Sequence, residues 1–98
     1  MEIEFNNDEL SEIYLGNKVP KGYQPTVIKA FFKTVRLLEV SKRIEDLYKF
    51  NSLNFEALTN RKGFYSVRVN NQYRLEFKYS VDGTITIITI TKLSNHYK

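Results

Sequence analysis

The chain has no cysteine and no tryptophan, and its 98 residues include two prolines, four glycines and a single histidine. The lack of cysteine excludes disulfides, thiolate metal sites and cysteine nucleophiles, and it fits a reducing cytosol. No hydrophobic run approaches the roughly 18 apolar residues that a membrane-spanning helix needs. The opening Met-Glu-Ile-Glu-Phe also lacks the basic-then-apolar pattern of a signal peptide. We therefore expect a cytoplasmic protein with no membrane partner.

What the chain does contain is sufficient for one small folded domain spanning residues 1–98. Hydrophobic residues make up 42% of the sequence, with seven Phe and seven Tyr, which is typical of a globular protein and not of a disordered one. A chain of this length can bury about two-thirds of its unfolded surface. One hydrophobic core without disulfides or metals is therefore expected.

The net charge of +4 is unevenly distributed. Residues 1–49 carry eight basic and eight acidic side chains, whereas residues 50–98 carry seven basic side chains and three acidic ones. A polyanion such as nucleic acid is the natural partner for such a basic half. Many small basic proteins, however, bind no polyanion.

The N-terminal segment has the pattern of a strand followed by a helix. Ile3 and Phe5 alternate with acidic residues, which predicts a short strand. Asn6 or Asn7 can cap a helix that has acidic residues in its first turn, and Gly16 is a plausible end.

A longer second helix is predicted from Pro25 to about Val40. Lys29, Lys33 and Arg36 recur at helical spacing on one face of it, where they form either a basic stripe for a phosphate backbone or an ordinary solvated face. The apolar stripe on the other face comprises Val27, Ile28, Phe31, Val35 and Leu38.

Three strands are predicted to close the chain, at about 65–69, 73–79 and 84–91. The Ile87-Ile88 doublet interrupts the alternation of the last strand, which indicates a bulge or burial on both faces. The order of elements predicts an α+β domain: a short N-terminal strand, two helices, then a three-stranded antiparallel sheet with the helices on one side.

The hydrophobic pattern also predicts how the first two of these strands pair. Matching their apolar faces sets Val69 opposite Tyr73 across a three-residue loop, and this register places Arg68 opposite Arg74. Like charges directly opposite on a sheet cost roughly 0.2–1 kcal/mol. Either an anion lies between the two side chains, or both splay into water, or Glu76 neutralises one of them.

The lone histidine, His96, lies next to Tyr97 near the C-terminus. One histidine excludes a multi-histidine metal site, and no carboxylate cluster resembles a two-metal nuclease. RNA can be cut without a metal if one group accepts the proton of a 2′-hydroxyl, another protonates the leaving oxygen, and cations stabilise the charge. Glu56 or His96, Tyr97 and the arginines are candidates, although a near-terminal histidine is more often a plain surface residue.

The run from Glu56 to Leu75 resembles the signature of the HigB branch of RelE-type toxins. It reads Glu-Ala-Leu-Thr-Asn-Arg-Lys-Gly-Phe-Tyr-Ser-Val-Arg-Val-Asn-Asn-Gln-Tyr-Arg-Leu. Members of that branch have a glycine-aspartate-arginine-lysine-glycine segment, then serine-isoleucine-arginine, then an aromatic residue and arginine after the turn. The order of elements in the whole chain is similar to theirs.

The resemblance implies roles for particular residues. Arg68 and Arg74 match phosphate-binding arginines, and Glu56 falls where relatives place a catalytic glutamate or histidine. His96 and Tyr97 match the terminal acid–base and stacking positions, with the assignment of base and acid left open. The residues implied to contact ribosomal RNA are Lys29, Lys33, Arg36, Arg61 and Lys62.

The resemblance further implies a toxin of a bacterial type II toxin–antitoxin pair. Such a toxin enters the ribosomal A site and cuts mRNA by attack of a 2′-hydroxyl, with no cofactor. Its partners would be the ribosome, mRNA and a small helix-turn-helix antitoxin. The alternatives are a gyrase-inhibiting toxin of the same fold with no nuclease activity, and a degenerate toxin that only binds its antitoxin.

Overall fold

The computed structural model describes residues 1–95, which form one five-stranded sheet and two α-helices. Two short 3₁₀ helices, Ile44–Lys49 and Asn51–Leu53, connect the second α-helix to the sheet. The other elements, in chain order, are β1 (Glu2–Phe5), α1 (Asp8–Leu15), α2 (Pro25–Val40), β2 (Glu56–Ala57), β3 (Tyr65–Arg68), β4 (Tyr73–Asp82) and β5 (Ile85–Asn95).

The sheet order is β1-β5-β4-β3-β2. Strands β2 to β5 pair antiparallel, and β1 pairs parallel with β5. The predicted α+β class is confirmed, but the sheet has five strands where three were expected. The two-residue β2 is too short to leave an alternation pattern. The pairing of β1 with β5 joins distant parts of the chain, which local patterns do not report.

Both helices begin and end as predicted. The side chain of Asn7 accepts a hydrogen bond from the amide of Leu10 at 3.1 Å and so caps α1. Gly16 ends that helix in the left-handed conformation, with φ of 79°. Helix α2 begins at Pro25, whose missing amide proton costs nothing in a first turn.

One face of the sheet packs against both helices. Apolar residues of α1, α2 and strands β3 to β5 form a single buried cluster, with Phe31, Leu75 and Phe77 fully buried. The predicted apolar stripe of α2 lies in this cluster. We call this side of the sheet the core face and the opposite side the outer face.

The predicted hairpin register is also confirmed. Arg68 pairs with Arg74, and the amide of Val69 donates to the carbonyl of Tyr73 at 2.9 Å. The irregularity of β5 lies elsewhere than expected, because the register shifts between Glu76 and Phe77 of β4, opposite Thr91. In the Ile87-Ile88 doublet, residue 88 is fully buried and residue 87 is half-buried.

No helix among residues 1–95 combines the length and the apolar character needed to cross a membrane.

Candidate active site

The outer face carries a group of polar residues where β2, β3 and β4 run side by side. Glu56, Ser66 and Glu76 are cross-strand neighbours in one row. Arg68 and Arg74 form the next row on the same face, because successive side chains of a strand alternate between faces. We call these five residues the polar cluster.

Arg74 is the buried cation of this cluster, with only 8% of its surface exposed. Its Nε donates to the hydroxyl oxygen of Ser66 at 2.8 Å. Its Nη2 donates to the carbonyl of Asn54 at 2.7 Å and to the carbonyl of Ser66 at 3.4 Å. Asn54 has a left-handed backbone, with φ of 44°, a conformation that asparagine adopts more readily than most residues. Three neutral oxygens therefore hold this guanidinium.

The nearest carboxylate leaves much of the charge of Arg74 available. Oε1 of Glu56 lies 3.7 Å from Nη2 of Arg74, and the Glu56 side chain is 52% exposed. That distance is longer than a hydrogen bond, and water screens an exposed carboxylate. A buried cation in contact mainly with neutral oxygens keeps its attraction for an anion.

Glu76 forms an ion pair with Arg61, whereas the sequence suggested a pair with Arg68 or Arg74. Nη1 of Arg61 lies 3.1 Å from Oε1 of Glu76. The guanidinium carbon of Arg61 also sits 3.9 Å from the centre of the Phe64 ring, in cation–π geometry. Glu76 thus neutralises Arg61, and the interpretation in which it neutralises Arg68 or Arg74 is wrong. Lys62, next to Arg61, is exposed.

The two opposed arginines turn away from each other. Arg68 is exposed, and its guanidinium donates to the carbonyl of Asn70 at 3.3 Å and to the side chain of Asn71. It also lines a cavity of about 240 Å³ together with Lys33 of α2. The backbone register therefore brings Arg68 and Arg74 together, but their side chains point to different partners. Arg68 bonds the hairpin loop, and Arg74 bonds Ser66 and Asn54.

Two of the predicted site residues, His96 and Tyr97, lie outside the described residues. Strand β5 runs beside β4 as far as the pairs Arg74–Ser94 and Tyr73–Asn95. Both predicted residues thus follow directly, in sequence, the strand that flanks Arg74. Their positions in the site remain predictions.

The predicted basic stripe lies on the exposed face of α2, which packs on the core face. One of its residues, Lys33, lines a cavity together with Arg68 of the polar cluster. The stripe also borders an open cavity of about 520 Å³. Burial raises the pKa of Tyr14 at this cavity, an effect that Glu39 reinforces and Arg36 opposes, so this phenol remains protonated at neutral pH. The residues that line the cavity are Tyr14, Lys29, Phe32, Lys33 and Arg36.

Sequence reasoning missed the partners of Arg74. Ser66 carries a weak signal, since it is a small polar residue two positions from Arg68 on the same face of a short strand. Asn54 carries none, because its contribution is a backbone carbonyl 20 residues away from Arg74. Within residues 1–95, no group of three His, Cys, Asp or Glu side chains is placed to hold a metal ion.

The sequence matches a family model described as RelE-like toxin of type II toxin–antitoxin system HigB, over residues 3–91. It is 34% identical over 84 residues to Toxin HigB-1 of Vibrio cholerae serotype O1, strain ATCC 39315 / El Tor Inaba N16961. That alignment covers 85% of this chain and 87% of the relative.

Solved structures show the same fold at low sequence identity. A YoeB/ParE toxin from Agrobacterium tumefaciens aligns with a TM-score of 0.63 at 13% identity, covering 99% of this chain and 100% of that one. YoeB in the YoeB–YefM complex from Staphylococcus aureus aligns with a TM-score of 0.55 at 24% identity, covering 99% and 98%.

Proposed function

The chain belongs to the HigB-like family of RelE-like toxins of type II toxin–antitoxin systems, and we propose that it is a ribosome-dependent endoribonuclease that cuts mRNA in the ribosomal A site. The reaction is attack of a 2′-hydroxyl on the adjacent phosphorus, without a metal. The observation that carries the proposal is Arg74, a buried guanidinium held by neutral oxygens beside a half-exposed carboxylate.

Arg74 supplies what the transition state of this reaction needs. Negative charge grows on the non-bridging oxygens as the 2′-oxygen approaches phosphorus, and a fixed cation in a partly buried site stabilises it with little reorganisation. Arg68, on the neighbouring strand, supplies a second cation once its side chain leaves the hairpin loop for the phosphate.

Proton transfer completes the reaction. Glu56 or His96 accepts the proton of the 2′-hydroxyl, and His96 or Tyr97 donates a proton to the leaving 5′-oxygen. The new bond joins the 2′-oxygen to phosphorus while the bond from phosphorus to the 5′-oxygen breaks. The products are a 2′,3′-cyclic phosphate and a free 5′-hydroxyl.

The basic surface of α2 serves binding to the ribosome. Lys29, Lys33 and Arg36 lie together and exposed, which suits contacts with the phosphates of ribosomal RNA. Arg61 and Lys62 would make further RNA contacts at the border of the polar cluster.

An antitoxin partner follows from the family. We propose that the antitoxin is a small helix-turn-helix protein and that the toxin acts in the cytoplasm, where ribosomes and mRNA are available. YoeB of Staphylococcus aureus, which shares the fold, has been solved in complex with YefM.

The test is a reconstituted translation reaction on one defined mRNA, with and without ribosomes, mapped by primer extension. The proposal expects cuts inside translated codons only when ribosomes are present, and new 3′ ends that carry a cyclic phosphate. Intact mRNA with normal translation would contradict it. Inhibition of gyrase supercoiling in a parallel assay would then indicate the gyrase-inhibiting alternative.

The same reaction tests the terminal histidine. His96→Ala should lose most of the cleavage rate, because a proton-transfer group typically contributes about 100- to 10,000-fold. Its circular dichroism and antitoxin binding should match those of the wild type. An unchanged rate would remove His96 from the mechanism.

A further inference from the structure

We propose that Ser66 is a positioning residue for the reaction, one that fixes the guanidinium of Arg74 for the scissile phosphate without neutralising it. The inference rests on the proposed nuclease function. It concerns a residue that lies at the centre of the polar cluster and does not itself meet the substrate, because its surface is 0% exposed.

Ser66 holds Arg74 at two points. Its hydroxyl oxygen accepts from Nε at 2.8 Å, and its own carbonyl accepts from Nη2 at 3.4 Å. The carbonyl of Asn54 adds a third contact, to Nη2 at 2.7 Å. Contacts to both nitrogens of one guanidinium edge fix its rotation as well as its position. Nη1, which takes part in none of these contacts, is then the nitrogen that donates to a phosphate.

The chemistry of the serine matters as much as its position. A carboxylate at position 66 would fix Arg74 equally well, but a buried ion pair would cancel the charge that the phosphate needs. Ser66 stands in the row between two glutamates, Glu56 and Glu76. Neither of these accepts a hydrogen bond from Arg74, since the first lies 3.7 Å away as a loose ion pair and the second pairs with Arg61. The one buried side-chain acceptor in this row is neutral.

Removing the hydroxyl should lower the rate of the chemical step and leave binding unchanged. In Ser66→Ala, Nε of Arg74 loses its acceptor and the guanidinium gains rotational freedom. A misplacement on the order of 1 Å can cost about 100-fold in rate. We expect single-turnover cleavage on saturating ribosomes to fall about 10- to 100-fold, with unchanged affinity for ribosomes and for the antitoxin.

A double-mutant cycle separates positioning from a general structural role. If Ser66 acts through Arg74, then adding Ser66→Ala to Arg74→Gln should cause no further loss of rate. The matched control is Ser94→Ala, because Ser94 lies directly opposite Arg74 on β5 and its side chain has no hydrogen bond to Arg74 among the described residues. That control should cleave at the wild-type rate.

Three outcomes would overturn the inference while the wild-type protein still cleaves. The first is an unchanged rate in Ser66→Ala, and the second is that Ser66→Ala lowers the rate as much in the Arg74→Gln background as in the wild type. The third is that Ser94→Ala loses as much rate as Ser66→Ala. If Ser66→Ala fails to fold, Ser66→Cys replaces it, because a thiol fills the same space but accepts hydrogen bonds poorly. A wild-type rate in Ser66→Cys would equally overturn the inference. Absence of cleavage by the wild-type protein would instead refute the proposed function.

Discussion

At the scale of single residues, the structure shows how two opposed arginines coexist on one sheet. Direct opposition costs roughly 0.2–1 kcal/mol, and here each guanidinium finds its own oxygens. Arg74 is seated on Ser66 and Asn54, and Arg68 bonds the hairpin loop. The polar cluster thus contains one buried cation, Arg74, and one exposed cation, Arg68.

Glu56 is the residue whose role can be separated most cleanly from stability. An ion pair with a half-exposed partner contributes less than about 1 kcal/mol, so Glu56→Gln should barely change the urea midpoint. If Glu56 accepts the 2′-hydroxyl proton, the same change should lower single-turnover cleavage by at least about 100-fold. The control is Glu4→Gln, an exposed glutamate of β1. A Glu56→Gln rate within twofold of wild type would leave His96 as the base.

The sequence predicted the strand pairing at this site but not the directions in which the side chains point. Alternation of apolar residues predicted that Arg68 faces Arg74, because a shift of one residue would turn the hydrophobic set away from the core. It could not predict where each guanidinium points. That depends on the carbonyl of Asn54, which a left-handed residue far away in the chain presents.

At the scale of elements, α1 is tied to the sheet through its N-terminal cap. The side chain of Asn7 accepts from the amide of Leu10 and also donates to the carbonyl of Thr91 at 3.2 Å. The neighbouring amide of Asn6 donates to the carbonyl of Ile90 at 2.8 Å. The cap therefore fixes the helix against β5 where the strand register shifts.

Asn7→Ala should destabilise the protein by about 0.5–2 kcal/mol, the usual effect of losing such a cap. Urea unfolding followed by circular dichroism measures this, with Asn6→Ala as the control, because Asn6 is exposed and its side chain makes no hydrogen bond among residues 1–95. Cleavage per folded molecule should stay the same. Equal stability of the two variants would show that the Asn7 side chain contributes nothing net.

Elements with local signals were predictable from the sequence, and those without were not. The cap at Asn7, the end at Gly16 and the start at Pro25 are each specified within a few residues. The parallel pairing of β1 with β5 and the edge strand β2 depend on contacts between distant segments. The local hydrophobic periodicity of the sequence cannot predict such contacts.

At the scale of the whole molecule, charge is divided between two surfaces, which meet at the cavity that Arg68 and Lys33 both line. The polar cluster lies on the outer face, and the stripe of Lys29, Lys33 and Arg36 lies on α2 above the core face. The first surface suits one phosphate at a reacting centre. The α2 stripe suits an RNA phosphate backbone that is bound but not cleaved.

Ribosome binding should therefore depend steeply on salt, through the α2 stripe. Each phosphate contact contributes about 0.7–0.9 to the slope of log affinity against log salt. Replacing Lys29, Lys33 and Arg36 together by Gln should reduce that slope by about 2 and leave the rate at saturation unchanged. Lys42→Gln, an exposed lysine beyond the end of α2, is the control. A slope unchanged by the triple substitution would show that this stripe does not meet RNA.

In the function that we propose, the buried charge of Arg74 serves cleavage of mRNA on the ribosome. The most direct measurement is the single-turnover rate at which wild-type protein and Arg74→Gln cut one defined mRNA on ribosomes with a vacant A site. We predict a cut within the A-site codon by the wild type, and a rate about 100- to 1,000-fold lower for Arg74→Gln at equal ribosome occupancy. No cut by the wild type would contradict the nuclease function, and equal rates for the two proteins would contradict the role of Arg74 in it.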